Sequence, residues 1–154
     1  MNHMLNQLLS RVSLIKIYNP AAEYVSRRKL IVDWMCEVGE ELRYRPEAIH
    51  HSVGLFDAYF SKPNIEDIQA KSSFGQIIEG KSIEQVLQLI SVISMLISAK
   101  YLEMTYPGVQ KFSQLTQSPF SYNDFIQTER HVLQVLHWQL SQITCYDLLQ
   151  HFTA

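Results

Sequence analysis

Ser82-Ile-Glu-Gln-Val-Leu-Gln-Leu-Ile-Ser-Val-Ile-Ser-Met-Leu-Ile-Ser-Ala-Lys100 decides the fold of this chain. Val86, Leu87, Leu89, Ile90, Val92, Ile93, Met95, Leu96 and Ile97 fall on nearly every side of a helix. A helix that is apolar all round belongs inside a larger assembly or in a bilayer. Gln85, Gln88, Ser91 and Ser94 interrupt this one, and residues 83–99 fall just short of a membrane span. The stretch is read as a buried helix at the centre of a bundle. Ser82 followed by Gln85 resembles a capping box at its start.

Upstream, residues 62–81 break the pattern with Pro63, Asn64, Ser72, Ser73, Gly75 and Gly80. They predict a long, flexible surface loop that tolerates deletion, with room for one helical turn. Before it, Pro46 suits the first position of a helix with Ile49, Val53, Phe56 and Phe60 on one stripe. Residues 26–42 predict another helix, with Ile31, Met35, Val38 and Leu42 aligned. Residues 5–18 suit a short amphipathic helix ended by Asn19-Pro20.

Downstream, Pro107-Gly108 opens a short helix through Leu115. Ser121 with Asp124 caps another that reaches about His137. Trp138 and Leu140 form an apolar exit segment, and Thr144 begins one more helix over residues 144–154. No β alternation, repeat or low-complexity tract appears. The fold class is all-α: five helices around a central third, with an extra helix in the N-terminal extension, residues 1–19.

Four charged residues sit on these apolar stripes, each on a different helix: Arg28, Asp57, Lys100 and Glu129. At ~100° per residue, Glu129 falls near the middle of a face formed by Tyr122, Phe125, Ile126, Val132, Leu133 and Leu136. A charge buried there alone would cost several kcal/mol, so it requires a partner inside the fold or on another protein.

The chain has 154 residues, enough for one domain with a real core. It is 47% apolar and 18% charged, as suits a compact protein. Thirteen basic residues against fifteen acidic ones give a net charge of −2, which argues against a general nucleic-acid or anionic-membrane binder. Cys36 and Cys145 show no metal or redox spacing, so reduced thiols in cytosol or nucleus are expected. The first residues lack the pattern of a signal peptide. His50, His51, His131, His137 and His151 have no metal-ligand spacing, and no nucleophile–base set or phosphate loop emerges. No cofactor, metal or catalysis is expected.

The stretch Arg27-Arg-Lys-Leu-Ile-Val-Asp-Trp-Met-Cys-Glu-Val-Gly-Glu-Glu41 resembles the opening helix of a cyclin box. Phe56-Asp-Ala-Tyr-Phe60, Leu87-Gln-Leu89, Ser98-Ala-Lys-Tyr-Leu-Glu103, Glu129-Arg-His-Val-Leu133 and Leu136-His-Trp-Gln-Leu140 are similar to later parts of it. Together they follow the N-terminal box of A- and B-type cyclins over roughly residues 20–152, the box itself being placed at 20–143. The resemblance implies five helices about a central third and activation of a cyclin-dependent Ser/Thr kinase. It implies a buried structural ion pair, Arg28–Asp57, and two kinase-facing residues, Lys100 and Glu129. A second box is absent beyond its first turns, which reads as a fragment or a single-box relative.

The implied mechanism is conformational. An inactive kinase holds its αC helix out, so the Lys–Glu pair that positions ATP is not made. A partner that packs on the inward helix and on the activation segment binds that state better and shifts the population. Bland alternatives exist for both residues. Lys100 would satisfy the C-terminal dipole of its own helix, and Glu129 would pair internally, with Lys100 itself one option.

The resemblance also implies a groove that docks basic-x-Leu peptides from substrates or inhibitors, built from Leu30, Ile31, Trp34, Glu37, Leu87 and Gln88. The acid would pair with the basic residue and the apolar slot would take the Leu. Arg27 and Lys29 stand where the family has Met and Ala, and Arg27 would repel the peptide's basic residue. Lys100-Tyr101-Leu102-Glu103 lacks one of the family's two acids. Arg11, Leu14 and Asn19 match the spacing of a mitotic destruction box, a short pattern that recurs by chance. Beside the kinase-regulator reading stand two others: a peptide-docking adaptor without a kinase, and a transcription-factor-type cyclin box, the latter disfavoured by charge. The expected location is nucleus and/or cytoplasm.

Overall fold

The computed structural model describes residues 22–102, 108–115 and 120–141. The helix expected over residues 5–18, the Arg11/Leu14/Asn19 pattern, Glu103, Cys145 and the helix expected from Thr144 lie outside them. Among the described residues the chain forms helices and no strand: α1 (Ala22–Glu41), α2 (Pro46–Phe60), α3 (Ile65–Lys71), α4 (Phe74–Ile78), α5 (Ile83–Leu102), α6 (Val109–Leu115) and α7 (Tyr122–Val135). The all-α expectation holds. α5 is the hub and packs against α1, α2, α6 and α7.

α5 earns that position by composition. Residues 86–87 and 89–99 are all buried, including Ser91, Ser94 and Ser98. The Ser91 hydroxyl donates to the Gln88 carbonyl at 2.7 Å and Ser94 to Ile90 at 2.8 Å. Hydroxyls satisfied within their own helix pack as small, nearly apolar groups. The helix is long and apolar enough to cross a bilayer, yet most of it is enclosed by the other helices, as a core helix is. The Ser82–Gln85 capping box forms, with Ser82 N–H donating to Gln85 Oε1 at 3.0 Å and Gln85 N–H to Ser82 Oγ at 3.3 Å.

α2 makes the most extensive contact with α5, but in a rotated register. Its deepest residues are Ala48, Ser52, Leu55, Phe56 and Tyr59, whereas Ile49 and Val53 of the expected stripe are only partly buried. Small side chains let the two backbones approach, and the Ser52 hydroxyl is satisfied by the Ala48 carbonyl at 2.7 Å. α1 follows its expected stripe, burying Met35 and Val38 with Ile31 and Leu42 packed at the edge. Gly39 permits its contact with α2: a Cβ there would stand 2.7 Å from Ile49 Cγ1.

The expected loop over residues 62–81 is a correction. It folds into α3 and α4, and Phe74 is fully buried. The Phe74 ring stacks on His131 of α7, with centroids 4.3 Å apart and planes 14° apart. Gln69 Nε2 donates to Tyr59 Oη at 3.0 Å, and Tyr59 Oη lies 2.7 Å from His131 Nε2. The segment is therefore pinned to the core by one apolar anchor and one polar chain. Full burial of a Phe side chain contributes about 2–3 kcal/mol. Gly75, in the first turn of α4, lets that helix close onto α3, since a Cβ there would meet the Gln69 carbonyl oxygen at 2.7 Å.

Candidate functional site

α7 brings the charged candidates together. Its start is fixed by a full capping box: Ser121 N–H donates to Asp124 Oδ2 at 2.9 Å and Asp124 N–H to Ser121 Oγ at 3.1 Å. Phe125, Val132, Leu133 and Leu136 turn into the core. Tyr122 and Ile126 do not; both are exposed, so the expected apolar face is split and Glu129 lies along its boundary. Glu129 is therefore at an edge rather than at the centre of the core.

Lys100, at the end of α5, donates through Nζ to both carboxylate oxygens of Glu129 at 3.0 Å. The two side chains are 39% and 19% exposed. The ammonium has a third hydrogen and the carboxylate further lone pairs, so the pair can engage another molecule without breaking. Tyr101 and Trp138, both exposed, line an open cleft of about 310 Å³ with Gln139, Leu140 and Ser141. Trp138 is 65% exposed and is presented from a left-handed backbone at φ 60°, just after His137 at φ 52°. That conformation is unfavourable for a bulky aromatic and is held only where its surroundings enforce it. The sequence reading did not find Tyr101 or Trp138 as site residues. The signal was there: an aromatic directly after Lys100 and a Trp in a segment with no predicted helix to bury it.

Arg28 and Asp57 also form a pair, joining α1 to α2. The guanidinium donates through Nε at 2.9 Å and Nη2 at 2.8 Å to the two carboxylate oxygens, a planar fork on a planar acceptor. The side chains are 43% and 24% exposed, so the pair is not the buried one the resemblance implied.

In the peptide-docking set, Leu30 is 73% exposed and Glu37 is exposed. Ile31, Trp34 and Gln88 are half-buried, and Leu87 is closed off in the core, where it can only support the surface from beneath. Arg27 Nε donates to Glu84 Oε1 at 2.9 Å, so its charge is partly neutralised by α5 rather than standing free. The Glu84 carboxyl is held below its usual range, first by its backbone hydrogen bond and then by Arg27.

Among the described residues no group of three or more His, Cys, Asp or Glu side chains could hold a metal ion. Cys36 is a free thiol whose pKa is pushed up by burial and by the charges of Asp33 and Glu40, the reverse of an activated nucleophile.

The family described as "Cyclin, N-terminal domain" matches residues 2–141, a span that takes in the N-terminal extension as well as all the helices above. Cyclin-A2-2 of Arabidopsis thaliana is 30% identical over 125 residues, 81% of this chain and 25% of that protein. Cyclin-A1-2 of Arabidopsis thaliana is 30% identical over 142 residues, 86% of this chain and 28% of the relative. The G2/mitotic-specific cyclin-A of Hydra viridissima is 27% identical over 143 residues, covering 88% and 30%. The chain thus spans only about a quarter to a third of the length of these relatives.

Proposed function

The chain belongs to the cyclin family, and from that premise we propose that it is a regulatory subunit that binds and activates a cyclin-dependent Ser/Thr protein kinase. The observation that carries this reading is the half-open Lys100–Glu129 pair at the end of α5, where the exposed Tyr101 follows Lys100 in sequence and shares a cleft with the exposed Trp138. A charged pair with spare hydrogen-bonding capacity and exposed Tyr and Trp rings are groups of the kind that interface hot spots use. Lys100 and Glu129 hydrogen-bond the kinase αC helix in its inward position, while Tyr101 and Trp138 cover apolar surface around it. Because the complex forms only with the active arrangement, binding shifts the kinase toward it. The subunit itself performs no chemistry. It works in nucleus and/or cytoplasm.

The test is reconstitution of the purified chain with a panel of cyclin-dependent kinases, followed by binding and phosphotransfer assays. At least one kinase is expected to bind and to gain activity. Failure across the panel, with the chain folded, would sink the reading.

A second reading has its own observation. Lys100 and Glu129 already pair with one another, and Leu30 and Glu37 are both exposed on α1. A peptide-docking adaptor would need nothing more. Titration with a basic-x-Leu peptide distinguishes the two: the adaptor binds it while no kinase binds at the Lys100 edge.

A further inference from the structure

His51 joins three parts of the molecule. Its buried ring lies on α2, its Nδ1 is 2.7 Å from Ser98 Oγ on α5, and its Nε2 is 2.5 Å from the Leu140 carbonyl oxygen of the exit segment. The ring also stacks on Tyr101, with centroids 5.4 Å and planes 18° apart. The sequence offered no role for it beyond the absence of metal spacing.

The hydrogen positions follow from the acceptors. A carbonyl oxygen can only accept, so Nε2 carries a hydrogen and donates to Leu140. The Ser98 hydroxyl reaches both His51 Nδ1 and the Ala48 carbonyl, the latter at 3.0 Å. Ser52 also donates to that carbonyl at 2.7 Å, so Ser98 can turn toward His51 without orphaning it. The donor to Leu140 therefore persists whichever way the Ser98 hydrogen points.

We propose that His51 is a positioning residue for the partner-binding edge, fixing Tyr101 and the Trp138–Leu140 segment relative to Lys100. It touches two sides of the cleft at once, the ring of Tyr101 and the backbone two residues past Trp138. The left-handed conformation of Trp138 needs a tether on its C-terminal side, and the His51–Leu140 bond supplies one. The inference rests on reading the Lys100–Glu129 edge as the binding face, but the tether itself can be tested without a kinase.

His51→Gln places an amide nitrogen near the position of Nε2, and His51→Asn places one near Nδ1. The first keeps the donor to Leu140; the second keeps only the link to Ser98. Two quantities are read: exchange of the Trp138 and Gln139 amides in the free chain, and kinase affinity. These amides donate to the Leu133 carbonyl at 2.9 Å and the Leu136 carbonyl at 3.1 Å. In His51→Asn they are expected to exchange at least ~10-fold faster than in the parent, with His51→Gln close to the parent. Kinase affinity is expected to fall by ~10-fold in His51→Asn and to be rescued in His51→Gln. Equal exchange in parent and both variants overturns the tether. Faster exchange with unchanged affinity in a kinase-binding parent overturns its role at the edge. If the parent binds no kinase, the kinase reading falls while the exchange pattern still decides the tether. Should His51→Asn not fold, His51→Phe keeps a ring against Tyr101 and lacks the donor to Leu140, and unchanged exchange at Trp138 there overturns the proposal.

Discussion

Two polar clusters lie along α7, and they differ in what they leave over. His131 is closed in: Tyr59 meets its Nε2, Gln69 donates to Tyr59, and Phe74 covers the ring. Glu129, two residues earlier, is paired with Lys100 but remains partly in water, with exposed Tyr122 and Ile126 on its own helix. In the first cluster the hydrogen bonds and the ring stack join groups of the fold to one another, so removing a member should destabilise the protein. In the second, capacity is left for another molecule, so removal should spare the fold and disable binding. On the proposed function, one helix would thus separate stability from recognition by which way a residue faces.

The strongest way to break that contrast is Phe74→Ala. It opens a cavity over His131 and is expected to cost about 3–5 kcal/mol in chemical denaturation. A loss under about 1 kcal/mol would mean that α3 and α4 are dispensable, as the loop reading held.

A second test uses pH. Burial lowers the His131 pKa from 6.5 to about 4. The unfolded chain therefore takes up a proton before the folded one does. Stability from this group is whole above pH ~6.5, falls as pH drops toward ~4 and then levels off, a loss of about 3 kcal/mol. Melts of the parent against His131→Leu should differ in slope across that window; identical slopes would show that His131 is not held neutral. Burial also raises the Tyr59 phenol, so Tyr59 remains the neutral hydroxyl this chain of bonds requires.

Arg28→Ala is expected to cost only about 1–2 kcal/mol, because its fork with Asp57 is partly solvated. A cost above about 3 kcal/mol would restore the buried pair implied by the resemblance.

Lys100→Ala should affect the fold least, by about 0.5–1 kcal/mol, since Glu129 keeps access to water. Kinase affinity should nevertheless drop by about 2–5 kcal/mol, read by calorimetry beside a thermal melt. An early melt with unchanged affinity would move Lys100 and Glu129 into the same class as Tyr59 and His131.

Much of this was legible beforehand. The all-round apolar pattern of α5, both capping boxes, Pro46 at the start of α2 and the Arg28–Asp57 pair follow from periodicity, cap chemistry and the family pattern, whereas the Lys100–Glu129 pair stood only as the alternative to two kinase-facing residues. The α3–α4 segment was not legible, because its anchors are a single Phe and a Gln among breakers, and Gly75 reads as a loop residue until the Gln69 carbonyl is seen against it. The register of α2 was missed for a related reason. A pattern of large apolar residues ranks Ile49 and Val53 above Ser52, but a hydroxyl bonded to the carbonyl one turn back buries more easily than its polarity suggests. His51 and His131 were invisible as site residues because each acts through residues far away in sequence.

α5 carries Gln88 of the candidate peptide surface near its start and Lys100 of the kinase edge near its end. With a rise of ~1.5 Å per residue, the twelve intervening steps set the two ~18 Å apart on one rigid rod. That rod is a ruler. A peptide docked at one end would have its flanking chain released at a fixed offset from a kinase bound at the other, as the proposed function requires, and the local concentration of its target residues would depend on linker length. Substrates with too short a spacer would then fail to span the gap, and those with very long spacers would lose the advantage gradually.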